Sequence, residues 1–361
     1  MGLDLFTPVV HPDRFHPAFK KITERPSSYD GKVLNDWAEG FVDRDGKFVK
    51  EFQTTFDSAF WELYLHATLK ELGIECDFRW SRPDFCIRSP EPFVVEAAVA
   101  VHARGTAAVT ETNPLNAPQN LREFNTQAII RLSNAVHSKY KKHLESYSNL
   151  PHVAAKPFVL AIAPFDRPFF QFQAERAIEA LLYRYYVEED TYLKEHPDRK
   201  APLLAEDLPF VRKDSGEPVP MGLFCDASMS EISAIIHSTA ATWSKVRALG
   251  GDPDVMVTAI YENRRAGGQY IFKGPNSAYT ENILDGLRVY HNPQAAHPLM
   301  PDLFKRSEIF QASSRGPVSL ILLNDCKRNL VNRSATSFPA GFMDRVLEEM
   351  PVNQNFWWYV R

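Results

Sequence analysis

The chain has 361 residues, 26 of them proline and 25 phenylalanine, and carries a net charge of −4. That length suits one elaborated domain or two packed ones, and 44% hydrophobic against 24% charged residues excludes a disordered or low-complexity chain. So many prolines, each fixing φ and lacking an N–H, also exclude a helical bundle, and the acidic balance means that any nucleic-acid contact must be local.

Cys76, Cys86, Cys225 and Cys326 form no CxxC pair and have no histidine at zinc spacing, so they read as reduced structural thiols. The N-terminus lacks a leader pattern, and the longest apolar run, residues 157–164, falls far short of the ~20 residues of a membrane helix. A soluble, cytoplasmic protein with no membrane partner is expected.

Residues 1–50 hold Pro8, Pro12, Pro17 and Pro26 among mixed charges and glycines, which predicts a loop-rich arm. From Thr54 to Gly73 the pattern changes: Phe56, Phe60, Leu63 and Ala67 recur at helical spacing, Thr54 or Thr55 can cap the start and Gly73 the end. Trp61, Leu65, Leu69 and Leu72 add apolar surface on other sides, so this helix is expected to be buried nearly all round. Short strands are predicted at 75–80, 85–88 and 93–100 as a meander. A second long helix follows over 121–147, then a strand at 157–163 buried on both faces, then a helix over 171–186.

Residues 188–217, with nine acidic residues against five basic, read as an exposed acidic insertion. Beyond it, strands are predicted at 221–225, 232–238, 255–261, 269–273, 287–290 and 318–323, with a terminal one at 357–360. The organisation is therefore an arm (1–50), a core (51–187), an insertion (188–217) and a β-rich α+β C-terminal region (218–361), in an α/β arrangement with a mixed sheet.

The chemistry-bearing stretch runs through Glu62, Asp84 and Glu96. Glu62 interrupts the most apolar helix, where a carboxylate is costly unless paired or bound to a metal. Asp84 starts one predicted strand, and Glu96 follows Phe93, Val94 and Val95 inside the next, although glutamate is depleted in strands. Two adjacent antiparallel strands joined by a short turn bring these carboxylates close enough to share a divalent cation, and oxygen ligands suit Mg²⁺ or Mn²⁺. Plainer readings stand beside these: Glu62 bonded to a backbone amide, Arg79 or Arg82, and Asp84 as turn chemistry after Pro83.

A glutamate on a helix, then Pro83-Asp84 at a strand start, then Val94-Val95-Glu96 in the next strand resembles the PD-(D/E)XK nuclease superfamily, over about residues 54–187. The resemblance implies a restriction-endonuclease-like core: a mixed β-sheet flanked by helices. It also implies a metal held by Asp84 and Glu96 with Glu62 as the auxiliary helix carboxylate. In that family a lysine two residues after the glutamate assists the attacking water, and here that position is Ala98. Lys139, on the border of the inward stripe of the second long helix, is the replacement candidate, while Lys141 and Lys142 are expected to point elsewhere.

Arg131, two turns earlier on the same border, is the candidate phosphate contact, and His102 and Arg104 are candidates for the mouth of the site. Residues 101–187 carry ten basic residues against six acidic, a local +4. The function this implies is a Mg²⁺-dependent nuclease acting on nucleic acid, DNA before RNA, in a bacterial defence or DNA-processing setting. The alternatives are a nuclease-fold binding or structural module that lost catalysis at Ala98, and a metal-dependent hydrolase of another phosphate ester. His66 is expected to fill space, Asn292-Pro293 to start a turn, and the tail Phe356–Tyr359 to form a sheet edge or a contact in a homodimer.

Overall fold

The computed structural model describes residues 3–100, 117–198, 201, 203–262, 269–343 and 345, and the backbone of 353–357. The N-terminal region is not a bare loop: α1 (Pro17–Glu24), α2 (Ser28–Ala38) and α3 (Phe48–Thr54) take up nearly half of it, with loops between them. The prolines misled because Pro17 stands at the first position of α1, where a missing N–H costs nothing. Phe19, Leu34, Trp37 and Phe52 from these helices are buried in the same cluster as α4 (Phe56–Glu71).

Helix α4 is buried nearly all round, as its sequence requires. Trp61 donates its indole N–H to the Ala161 carbonyl at 3.0 Å, and the Tyr64 hydroxyl donates to the Ile283 carbonyl at 3.1 Å. Thr55 precedes the helix but makes no side-chain cap; its hydroxyl donates back to Glu51 instead. His66 fills space, its Nδ1 2.9 Å from the Trp37 carbonyl and its ring among Phe41 and Phe78.

After α4 come β1 (Glu75–Cys76), β2 (Phe85–Ser89) and β3 (Val94–Val99), then α5 (Leu121–Lys142), which runs into a π-helical turn at His143–Tyr147. Strand β4 (Phe158–Ala163) has all six residues buried. The predicted helix over 171–186 is shorter. It starts with a 3₁₀ turn at Phe170–Gln173, breaks at Ala174 (φ +45°) and continues as α6 (Arg176–Tyr183), and the chain then turns at Arg184 (φ +60°) into β5 (Tyr185–Val187).

The acidic insertion is ordered into α7 (Glu189–Glu195), β6 (Ala205–Asp207) and β7 (Phe210–Arg212), and β7 pairs with β8 (Pro218–Pro220). Its acids neutralise bases of the core: Glu188 lies 2.6 Å and Glu206 3.0 Å from Arg122, and Glu189 lies 2.9 Å from Arg176. Residues 221–225 are not a strand. The amides of Gly222, Leu223 and Phe224 donate to the Leu181 and Leu182 carbonyls, closing the otherwise unpaired C-terminal end of α6.

The remaining elements are β9 (Ile232–His237), α8 (Trp243–Gly250), β10 (Val255–Glu262), β11 (Gln269–Pro275), β12 (Arg288–His291), β13 (Phe310–Ser313), β14 (Ile321–Leu322), β15 (Asn329–Ser337) and β16 (Asn353–Trp357). The terminal strand therefore lies earlier than 357–360, and residues 358–361 fall outside the described ones.

The chain is mixed α/β. Its large mixed sheet has the order β1-β2-β3-β4-β9-β12-β13-β14, so four of its strands come from residues 75–163 and four from residues 232–322. Strands β1, β2 and β3 are antiparallel, β3, β4 and β9 parallel. Side chains alternate between two cores: Val95, Ala97 and Val159 face α4, whereas Val94, Ala98 and Leu160 face α5 and α6. A second, antiparallel sheet of order β15-β10-β11-β16 has its own small core around Val257 and Phe272, and β16 forms an edge. Asn292 does start a turn, its side-chain oxygen accepting the Gln294 N–H at 2.9 Å, while its amide donates to the Met229 and Ile232 carbonyls. All four cysteines are free.

Candidate active site

The site exists because β2 separates early from β3. Their ladder is limited to Phe85↔Val95 and Cys86↔Val94, so among the described residues the later half of β3 pairs only with β4. Asp84, the residue just before that ladder, accepts the Ala97 N–H on Oδ2 at 2.7 Å. Continuing the antiparallel register sets Asp84 opposite Glu96, the proximity expected from the sequence. Glu96 shares a face with Val94 and Ala98, toward α5.

The open edge of β3 forms the floor of a cleft of about 490 Å³ between α4 and α5, lined by Glu62, Asp84, Glu96, Ala98, Arg131 and Lys139 among others. Glu96 is 1% exposed. Its Oε1 accepts from the Lys139 ammonium at 2.7 Å and the Lys142 ammonium at 3.0 Å, with the Tyr147 hydroxyl at 3.5 Å. Its Oε2 is buried without a hydrogen-bond partner among the described residues.

Lys139 thus reaches the cleft, whose wall includes Ala98. Lys142 also reaches Glu96, contrary to expectation. It lies one turn after Lys139 on the same face, a spacing that could have revealed it. Only Lys141 points away, toward Glu145. Lys142 lies over the Tyr147 ring at 4.9 Å; burial opposes its charge, but Tyr147 and Glu96 hold the ammonium well above its usual range.

Glu62 faces the cleft without a hydrogen bond or ion pair among the described residues; Arg79, its proposed plain partner, pairs with Asp77. Burial, then the Asp84 charge, pushes the Glu62 carboxyl up to about 8. Burial, then the Glu96 charge, pushes Asp84 up to about 6, against the pull of the Ala97 N–H and the two lysines. Three carboxylates therefore gather with less cationic charge than they need.

Among the described residues no group of three or more His, Cys, Asp and Glu is arranged to hold a metal ion. A cation here would rest on fewer protein ligands than the three suggested by sequence. His102 and Arg104 lie outside the described residues. Arg131 lines the cleft and, among the described residues, makes no hydrogen bond or ion pair.

The raised Glu62 carboxyl gives a stability test. Its proton is held in the folded state, so it costs nothing below the ordinary glutamate value of 4.5 and destabilises progressively as pH rises toward 8. Without divalent cations, Glu62→Gln is expected to stabilise the protein by roughly 1–3 kcal/mol at about pH 8.5, after allowing for solvent at a half-buried group, and by little near pH 4.5. Urea unfolding at the two pH values measures this; a pH-independent difference would contradict it.

No family model matches the chain, and no significant match was found among curated proteins or solved structures.

Proposed function

We propose that the protein is a metal-dependent nuclease that hydrolyses phosphodiester bonds in nucleic acid at the Asp84–Glu96 cleft. One observation carries this reading: a buried glutamate keeps one oxygen unpartnered beside a second carboxylate, in an open cleft whose walls present Lys139, Lys142 and Arg131. A restriction-endonuclease-like core is supported by the order helix, antiparallel strands, helix, parallel strand in α4-β2-β3-α5-β4, with helices on both faces of the sheet.

The donor set fits Mg²⁺ or Mn²⁺. Mg²⁺ is commonly held by one or two carboxylates, its other positions going to water and substrate phosphate. Asp84 and Glu96 would hold it, and when bound it would polarise the scissile phosphate and acidify a water. Lys139 and Lys142 neutralise charge gathering at Glu96, and Lys139 takes the nucleophile-orienting role left vacant at Ala98. Burial and the neighbouring Asp84 charge raise the Glu62 carboxyl, which suits it to exchange a proton with water in the cleft. DNA in preference to RNA, and a defence setting, rest on the resemblance alone.

A second reading is favoured by the occupied Oε1 of Glu96: a nuclease-like module whose carboxylate and two lysines form only a structural ion pair. Incubating the protein with plasmid, single-stranded DNA and RNA, each with Mg²⁺, Mn²⁺ or EDTA, separates the two. Cleavage is expected with a cation and none with EDTA. No cleavage of any substrate with either metal would favour the structural module.

A further inference from the structure

Beside the Glu96 cleft lies a second one of about 280 Å³, between α5 and the turn that joins β7 to β8, lined by Gln127, Arg131, Asn134, Lys213, Asp214 and Ser215. The two share a wall, because Arg131 and Asn134 line both. Gln127, Arg131, Asn134, Ser138 and Lys142 lie at i, i+4, i+7, i+11 and i+15, one polar stripe on α5 about 22 Å long at 1.5 Å per residue. It connects the two clefts.

Most cations of this region are already committed: Arg122 to Glu188, Arg167 to Asp166, Arg176 to Glu189, Arg184 to Asp207, Lys139 and Lys142 to Glu96. Arg131 stands between the clefts with no such partner among the described residues. A planar guanidinium suits the bidentate geometry of a phosphate. The second cleft is chemically different. Lys213 there is paired with Glu217, and the Asp214 carboxylate accepts from the Gln127 amide at 3.3 Å. With Asn134 and Ser215 beside them, these groups offer both donors and acceptors, which suits the polar edge of a base or sugar better than a second phosphate.

We propose that this second cleft binds the nucleotide flanking the scissile phosphate, with Arg131 holding the phosphodiester between the two subsites. The inference rests on the nuclease reading and adds a binding subsite to it. It assigns the β7–β8 turn, part of the acidic segment, to substrate binding.

Kinetics on a fluorescent oligonucleotide with Mn²⁺ test it in the full chain, beside Arg131→Gln, Asp214→Asn and Lys305→Ala, the last an exposed lysine paired with Asp302 in another part of the chain. Arg131→Gln is expected to raise KM about tenfold with kcat little changed, and to reduce the salt dependence of binding by about one phosphate. Asp214→Asn, on a separate element, should change the relative KM for oligonucleotides differing in the base beside the cut, and Lys305→Ala should leave both constants unchanged. Cleavage by the wild type with KM and base preference unchanged in both cleft variants overturns the subsite alone. Absence of cleavage by the wild type overturns it together with the nuclease reading.

Discussion

Asp84→Asn is expected to lower the rate of metal-dependent hydrolysis roughly 10³-fold while leaving the fold intact. The two effects separate because the Asp84 side chain does two things. Its Oδ2 accepts the Ala97 N–H at 2.7 Å, closing the β3 edge where β2 has turned away. Its negative charge stands beside Glu96 and is the part a cation requires. Asparagine keeps an oxygen for the Ala97 N–H but has no charge. Asp84→Ala loses both, and with Ala97 buried the unsatisfied N–H costs about 1–3 kcal/mol.

The asparagine variant should therefore be strongly impaired in hydrolysis and at least as stable as wild type at pH 8. Asp84 is held above its ordinary range, so its ionisation costs stability as pH rises from about 3.8 to about 6, and the whole cost is present at pH 8. Rates of plasmid cleavage, with thermal melts in EDTA, read both. Wild-type cleavage by Asp84→Asn would remove Asp84 from the chemistry and leave it as a strand cap.

The elements around the cleft were legible in the sequence because each carries its own signal. Helix α4 shows apolar residues on every side, and β4 is a continuous apolar run because helices cover both faces of the sheet there. Glu96 was conspicuous as a charge inside such a run. Lys142 was less so, since on the polar border of a helix its only mark is its spacing of one turn from Lys139.

Pairing across long separations was equally hidden. The strand at 232–237 has an ordinary sequence signal, but nothing local says that it lies beside β4 in the same sheet. Strand β15 was missed because it buries Arg333, which ion-pairs with Glu281 at 2.9 Å, so the charge interrupts the pattern of a strand while being satisfied by a distant residue. The proline-rich N-terminus misled in the opposite direction, since proline signals a loop in the interior of an element and a beginning at its first position.

Removing both lysines from Glu96 is expected to produce the largest change in stability. The Glu96 side chain is 2% exposed, and both ammoniums sit on its Oε1, Lys139 at 26% and Lys142 at 50% side-chain exposure. Taking one partner away leaves the other, and the more exposed Lys142 contributes less because solvent screens it. Lys139→Ala combined with Lys142→Ala leaves a buried carboxylate without a counter-charge, a loss of about 3–5 kcal/mol. Adding Glu96→Gln should recover most of it, because a neutral amide no longer needs the ammoniums.

Divalent cations give the decisive comparison. If the unpartnered Oε2 of Glu96 is a cation ligand, Mn²⁺ should stabilise the double lysine variant more than wild type, since the cation then supplies the only positive charge at the carboxylate. If Glu96 serves only as an ion-pair partner, Mn²⁺ should leave the melting temperatures of both unchanged. Hydrolysis separates the lysines themselves: Lys139→Ala alone should lower kcat by roughly 10²-fold or more if it orients the nucleophile, at a stability cost that Lys142 limits. Equal kcat in Lys139→Ala and wild type would assign both lysines to holding Glu96 in place.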